Sequence, residues 1–141
     1  MSQLMPSATP ASIPPQPAPL VVLIDDDPSV RNSLGTLMTQ RGYRVEFASS
    51  GVGGISLAWS LLQRPFAVVI DVMLPDMDGF EVASRLYQGV QSRGVHLILI
   101  TTPHGLKDRR KNRRNLNFLT KPYRPSQLLE MLERLLEQDS A

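Results

Sequence analysis

Apolar positions along this chain follow two patterns that alternate. Near-continuous apolar runs at 20–24 (LVVLI), 66–70 (FAVVI) and 96–102 (HLILITT) read as strands buried on both faces of a sheet, and the shorter segments 44–48 (RVEFA) and 117–123 (NFLTKPY) are β-like as well. Between them, apolar residues recur at helical spacing. One stripe is Val30, Leu34, Leu37 and Met38, and a second is Val52, Ile55, Trp59 and Leu62, with Trp59 expected in the core. A third is Phe80, Ala83, Leu86, Tyr87 and Val90, and the last helix, from about Pro125, carries Leu128, Leu129, Leu132, Leu135 and Leu136. Strand and helix thus alternate, with strand starts near 20, 44, 66, 96 and 117. This order predicts an α/β fold: a doubly wound, five-stranded parallel sheet with helices on both faces. A helix expected within 105–115 has no apolar residue between Leu106 and Leu116, so it is predicted to be short and to bury little.

Chemistry is concentrated where the buried strands end. The stretch AVVIDVMLPDMDG, 67–79, runs from a fully apolar strand into Asp71 and then into a turn rich in Pro, Asp and Gly. In an open parallel sheet the carboxyl ends of the strands border the crevice where ligands bind, so Asp71 is a candidate reactive group. A carboxylate that caps the next turn is the competing reading of this stretch alone. The same rim receives Asp25 and Asp26 after the first strand, Thr101 after the fourth and Lys121 after the fifth. Clustered carboxylates repel one another unless a cation sits among them, and oxygen ligands without His or Cys favour Mg²⁺. A carboxylate can also attack phosphorus and form an aspartyl phosphate, provided the metal and fixed donors neutralise the transferring oxygens. Asp27, followed by Pro28, reads as the cap of the first helix.

The remaining composition sets bounds. A chain of 141 residues suits one domain, and without cysteine it has neither disulfides nor thiolate metal sites. No apolar run approaches the ~20 residues of a membrane span, and the N-terminus has no signal-peptide pattern, so a soluble cytoplasmic protein is expected. Residues 1–19 hold six of the 12 prolines and no charge, and are expected to form a disordered leader, either a plain linker or a Pro-rich docking segment. The domain is expected over 20–138, followed by a short tail at 139–141. Of the 15 Lys and Arg and 13 Asp and Glu, eight and one respectively fall within 107–124. The protein is therefore an acidic body with one basic edge.

Taken together, the Asp pair after strand one, the IDVMLPDMDG turn, Thr101 after strand four and Lys121-Pro122 after strand five resemble the receiver domain of bacterial response regulators, the phosphoacceptor modules of two-component signalling. The resemblance covers about residues 20–138 and implies a flavodoxin-like fold. It implies that Asp71 accepts a phosphoryl group from a histidine kinase or a histidine phosphotransfer protein, and that the outcome is docking on a downstream protein target. Asp25, Asp26, Asp71 and the backbone carbonyl of Met73 would hold Mg²⁺. Thr101 would bond a phosphoryl oxygen, Lys121 would pair with it, the Lys121 to Pro122 bond would be cis, and Phe118 would be the aromatic switch residue.

The chain also departs from the family pattern. Thr102 stands where Ala or Gly is usual, which narrows access to Asp71. Met73 and Pro103 stand two residues after the phosphoacceptor and two after the Thr, where polar side chains commonly orient a hydrolytic water. Lys107, Arg109, Arg110, Lys111, Arg113 and Arg114 crowd the approach to strand five and point to an acidic partner surface or nucleic acid, with a solvated charged helix as the alternative. Two other function classes compete: a receiver-like scaffold binding through that basic segment, and a Mg²⁺-dependent phosphohydrolase. Enzymes of the second kind keep an acid two residues after the nucleophile, where this chain has Met73. His96 and His104 show no metal-ligand spacing and are assigned no role.

Overall fold

In the computed structural model, residues 17–88, 94–105 and 116–140 are described. The expected basic segment at 107–114, most of the helix expected at 105–115, Val90 and residues 1–16 of the leader lie outside them. Five strands form one parallel sheet: β1 (Leu20–Ile24), β2 (Arg44–Ala48), β3 (Ala67–Asp71), β4 (His96–Thr101) and β5 (Leu116–Thr120). Their spatial order is β2-β1-β3-β4-β5, every neighbouring pair parallel. The chain leaves β1 toward one edge and returns to continue toward the other, so order reverses between β1 and β3. That reversal opens a crevice at the carboxyl ends of these two strands, as expected of doubly wound sheets.

Every residue of β1, β3 and β4 is buried, which is why these segments read as unbroken apolar runs. Alternation along the strands divides the core in two. Val21, Leu23, Val69, Ile98 and Leu119 face helix α1 (Pro28–Gln40) and the C-terminal helix (Pro125–Ser140), meeting Leu34, Met38, Leu128 and Leu132. Val22, Ile24, Val68, Ile70 and Leu99 face helices α2 (Gly51–Ser60) and α3 (Gly79–Gln88), meeting Ile55, Ala58, Val82 and Leu86. Asp27 caps α1 as expected, its side chain accepting the Ser29 N–H at 2.9 Å, and Pro28 opens the helix.

The α2 stripe is a correction. Trp59 is 46% exposed, Val52 60% and Leu62 fully so, whereas the buried face consists of Gly51, Gly54, Ile55 and Ala58. The cause is the closeness of the helix to β1: a methyl group at Gly54 would lie 2.2 Å from Ile24 Cδ1. Only small residues fit that contact, so the bulky ones turn outward, and Leu62 lies beyond the helix end. Trp59 lines a crevice together with Pro65, Leu86 and Val95, and is not part of the buried core. Among the described residues, no helix is long and apolar enough to cross a membrane.

Candidate functional site

At the end of β1, Asp25 is buried, 4% exposed, and its neighbour Asp26 is exposed on the rim. The β1–α1 turn is fixed from several sides. Asp25 Oδ1 accepts the Asp27 N–H at 2.9 Å, the Asp25 N–H donates to the Ala48 carbonyl at 3.1 Å, and Arg31 donates from Nη1 to the Asp25 carbonyl at 2.9 Å. At the end of β3, Asp71 is 7% exposed, and its Oδ1 receives both the Met73 N–H at 3.0 Å and Lys121 Nζ at 3.1 Å. Asp25, Asp71 and Lys121 share the strand parity of Leu23, Val69 and Leu119, which places all three on the α1 face of the sheet.

Carboxylate oxygens of Asp25, Asp26 and Asp71 lie within 4.8 Å of one another. Burial pushes the Asp25 carboxyl above its ordinary pKa, the Asp27 N–H opposes this, and the charges of Asp71 and Asp26 add to the rise. Burial also raises the Tyr123 hydroxyl, and the same two carboxylates, Asp25 and Asp71, raise it further. Asp25, Asp26, Asp71, Met73, Lys121 and Tyr123 line an open hollow of about 300 Å³. Three close carboxylates, one of them held toward its neutral form by its surroundings, suit a hard divalent cation that removes the repulsion.

Thr101, at the end of β4, is 3% exposed and has the parity of Leu99, so it stands on the α3 face, opposite Asp71 and Lys121. Its carbonyl accepts the Lys121 N–H at 2.7 Å, and the Lys121–Pro122 bond is cis. Phe118 lies on the same face as Thr101, partly buried, with its ring centroid 6.3 Å from that of Phe80 on α3. Met73 is 69% exposed beside the hollow. The six cations of the basic segment, Lys107, Arg109, Arg110, Lys111, Arg113 and Arg114, lie outside the described residues.

Four contributors were not legible as such. Asp76 reads as one turn residue among several, yet its carboxylate accepts the N–H groups of Gly51 at 2.7 Å and Val52 at 2.9 Å, tying the loop after β3 to the start of α2. Gly79 lets the loop close on itself, since a methyl there would lie 2.6 Å from the Asp71 carbonyl oxygen. Tyr123 meets the acidic turn only through the fold, and Arg31 reaches the Asp25 carbonyl from the first turn of α1. For Gly79 the Asp-Gly pair was a usable signal, and for Asp76 and Tyr123 the partner lies too far along the sequence.

The chain is similar to known proteins. The model of the response regulator receiver domain matches residues 21–133. The response regulator MprA of Mycobacterium sp. (strain KMS) is 36% identical over 124 residues, covering 85% of this chain and 51% of that protein. Protein PilH of Pseudomonas aeruginosa is 25% identical over 118 residues, covering 82% of this chain and 96% of its own length. Transcriptional regulatory protein AfsQ1 of Streptomyces coelicolor is 42% identical over 83 residues, 59% of this chain and 35% of that protein. The chain thus spans about half or less of several curated relatives it matches. Among solved structures, the chemotaxis response regulator CheY4 of Vibrio cholerae superposes with a TM-score of 0.74 at 26% identity, covering 84% of this chain and 98% of that one. The chain belongs to the response regulator receiver domain family.

Proposed function

We propose that this chain is a phosphorylation-operated switch whose phosphoacceptor is Asp71. The observation that carries the reading is the convergence of Lys121 Nζ on Asp71 Oδ1 at 3.1 Å beside two further carboxylates within 4.8 Å. A carboxylate oxygen of Asp71 attacks the phosphorus of a phosphohistidine on a kinase or phosphotransfer protein. The new O–P bond forms as the P–N bond breaks, and the imidazole leaves with the bonding electron pair. Asp25, Asp26, Asp71 and the Met73 carbonyl would hold Mg²⁺, which supplies charge neutralisation for the transferring oxygens. Lys121 adds a fixed positive charge on the β5 side, and Thr101 donates its hydroxyl to a phosphoryl oxygen from the other face. Drawing Thr101 inward frees space that Phe118 fills, and the altered face docks on a downstream target. The basic segment at 107–114 is proposed to meet an acidic partner surface.

Receiver domains are signalling switches and generally not enzymes. A phosphohydrolase reading finds no support in the acceptor loop, where the residue two beyond Asp71 is the exposed Met73. The test is incubation with acetyl phosphate and Mg²⁺, read by intact mass and by the change in the amide spectrum. Wild type is expected to gain one phosphoryl group and shift signals near Thr101 and Phe118, and Asp71→Asn to do neither. Equal labelling of Asp71→Asn, or turnover of acetyl phosphate without a modified protein, would overturn the assignment.

A further inference from the structure

Thr101 is followed by Thr102 and a helical turn at 103–105, and the end of that turn folds back over the strand. A methyl group built on Gly105 would lie 2.7 Å from Thr101 Oγ1 and 3.4 Å from Thr102 Oγ1. The first separation is below any that a real carbon atom keeps from a side-chain oxygen, so the place taken by the Thr101 hydroxyl exists because residue 105 has no side chain. Gly105 does not have the left-handed backbone that makes glycine necessary elsewhere, as at Gly42 and Gly94. Space, and not conformation, is what glycine provides here.

Two things can yield to an added methyl group: the turn or the hydroxyl. The turn is held, because the Gly105 N–H donates to Thr102 Oγ1 at 3.1 Å. A threonine hydroxyl, by contrast, moves by rotation about a single bond among staggered positions. We propose that Gly105 is a positioning residue for Thr101: it keeps open the resting place of the hydroxyl, so that residue 105 sets how readily Thr101 turns toward the Asp71 site. This rests on the reading of Asp71 as phosphoacceptor and adds to it a residue outside the acidic hollow. Denying the resting place raises the population of the inward rotamer, and a ligand that needs that rotamer then binds more tightly.

Beryllofluoride with Mg²⁺, a stable stand-in for the phosphoryl group, provides the probe. Its affinity is measured on wild type, Gly105→Ala, Thr101→Ala and the double variant. Gly105→Ala is expected to bind about threefold to tenfold more tightly than wild type, in the lower part of the range of coupling between touching residues, and the double variant to match Thr101→Ala. Unchanged or weaker binding by Gly105→Ala, or the same gain in the Thr101→Ala background, overturns the inference while leaving Asp71 in its role. Absence of binding by wild type overturns the phosphoacceptor reading and this inference with it. If Gly105→Ala does not fold, side-chain couplings of Thr101 in wild type decide. The rotamer is expected to change on adding beryllofluoride, and an unchanged rotamer overturns the inference.

Discussion

Lys121 Nζ reaches Oδ1 of Asp71 at 3.1 Å from β5, across the whole width of β4. Only a long side chain spans that gap, because neighbouring strands are ~4.8 Å apart. The Lys side chain is 37% exposed and the Asp 9%, so the pair is worth more than a surface ion pair and less than a buried one. Lys121→Met is expected to cost ~1–2 kcal/mol of metal-free stability, read from urea midpoints. The same change removes a cation that competes for the carboxylates, so Mg²⁺ affinity should rise several-fold while phosphorylation by acetyl phosphate slows. A fall in Mg²⁺ affinity would show that Lys121 organises the metal site instead of competing with it.

Asp25 and Asp26 separate metal binding from folding. Asp26→Asn is expected to lose Mg²⁺ affinity yet fold at least as stably as wild type without metal, since it removes repulsion along with a ligand. For Asp25 the folded-state pKa is raised, by burial first. Its protonated form is therefore favoured by folding, and the stability this contributes is present below the unfolded value and lost as pH rises through the folded one. Metal-free Asp25→Asn should accordingly be more stable than wild type at pH 7, and the gap should close on acidification through the raised pKa. A gap that widens as pH falls would contradict this.

Asp76 has the opposite sign. The N–H groups of Val52 and Gly51 hold its carboxyl below the usual range, so its contribution to stability is present above the unfolded value and lost as pH falls through the depressed one. Asp76→Ala should be less stable than wild type at neutral pH, with the difference shrinking in strong acid. Hydrogen exchange should also quicken at Gly51 and Val52, the amides it releases. Unchanged exchange there would mean that Ser50, whose Oγ accepts the Gly53 N–H at 3.0 Å, caps α2 sufficiently alone.

How much of this was legible in the sequence depends on the range of the interaction. Strands buried on both faces announce themselves, because every position must be apolar, and their acidic ends then mark the rim. Asp25, Asp71 and Lys121 were readable for that reason. The outward turn of Trp59 was not, because it follows from the approach of Gly54 to Ile24, a contact between elements 30 residues apart in which the informative residue has no side chain. Asp76 escaped notice because only the folded chain brings it near Gly51 and Val52, and Gly105, four residues from Thr101, because it too acts by having no side chain.

His96, given no role from the sequence, is buried at the start of β4 and has Nε2 3.0 Å from Asp139 Oδ1 near the end of the C-terminal helix. Its Nδ1 is buried without a hydrogen-bond partner among the described residues, so the ring meets Asp139 through Nε2 alone. Asp139→Ala should cost ~1 kcal/mol and loosen the last helical turn, seen as faster hydrogen exchange there. No change in either would mean that Phe66, packed edge-on at 5.4 Å, suffices to hold the ring.

The lifetime of the phosphorylated state follows from what flanks Asp71. Hydrolysis of an aspartyl phosphate needs a water held in line with the phosphorus, which polar side chains at the rim supply by hydrogen bonding. Met73 borders the hollow, 69% exposed, and Pro103 opens the turn after Thr101. Neither side chain donates a hydrogen bond. Phosphorylated Asp71 is therefore expected to be long-lived and its decay to depend on a separate phosphatase or on back-transfer to a phosphotransfer protein. Met73→Asn with Pro103→Glu should speed self-dephosphorylation by up to ~100-fold, if positioning the water is worth ~2.7 kcal/mol. The measurement is loss of radiolabelled phosphate from purified protein in Mg²⁺ buffer. Rapid decay in wild type, unaltered by the double substitution, would place the positioning of water with another polar group lining the hollow, such as Tyr123.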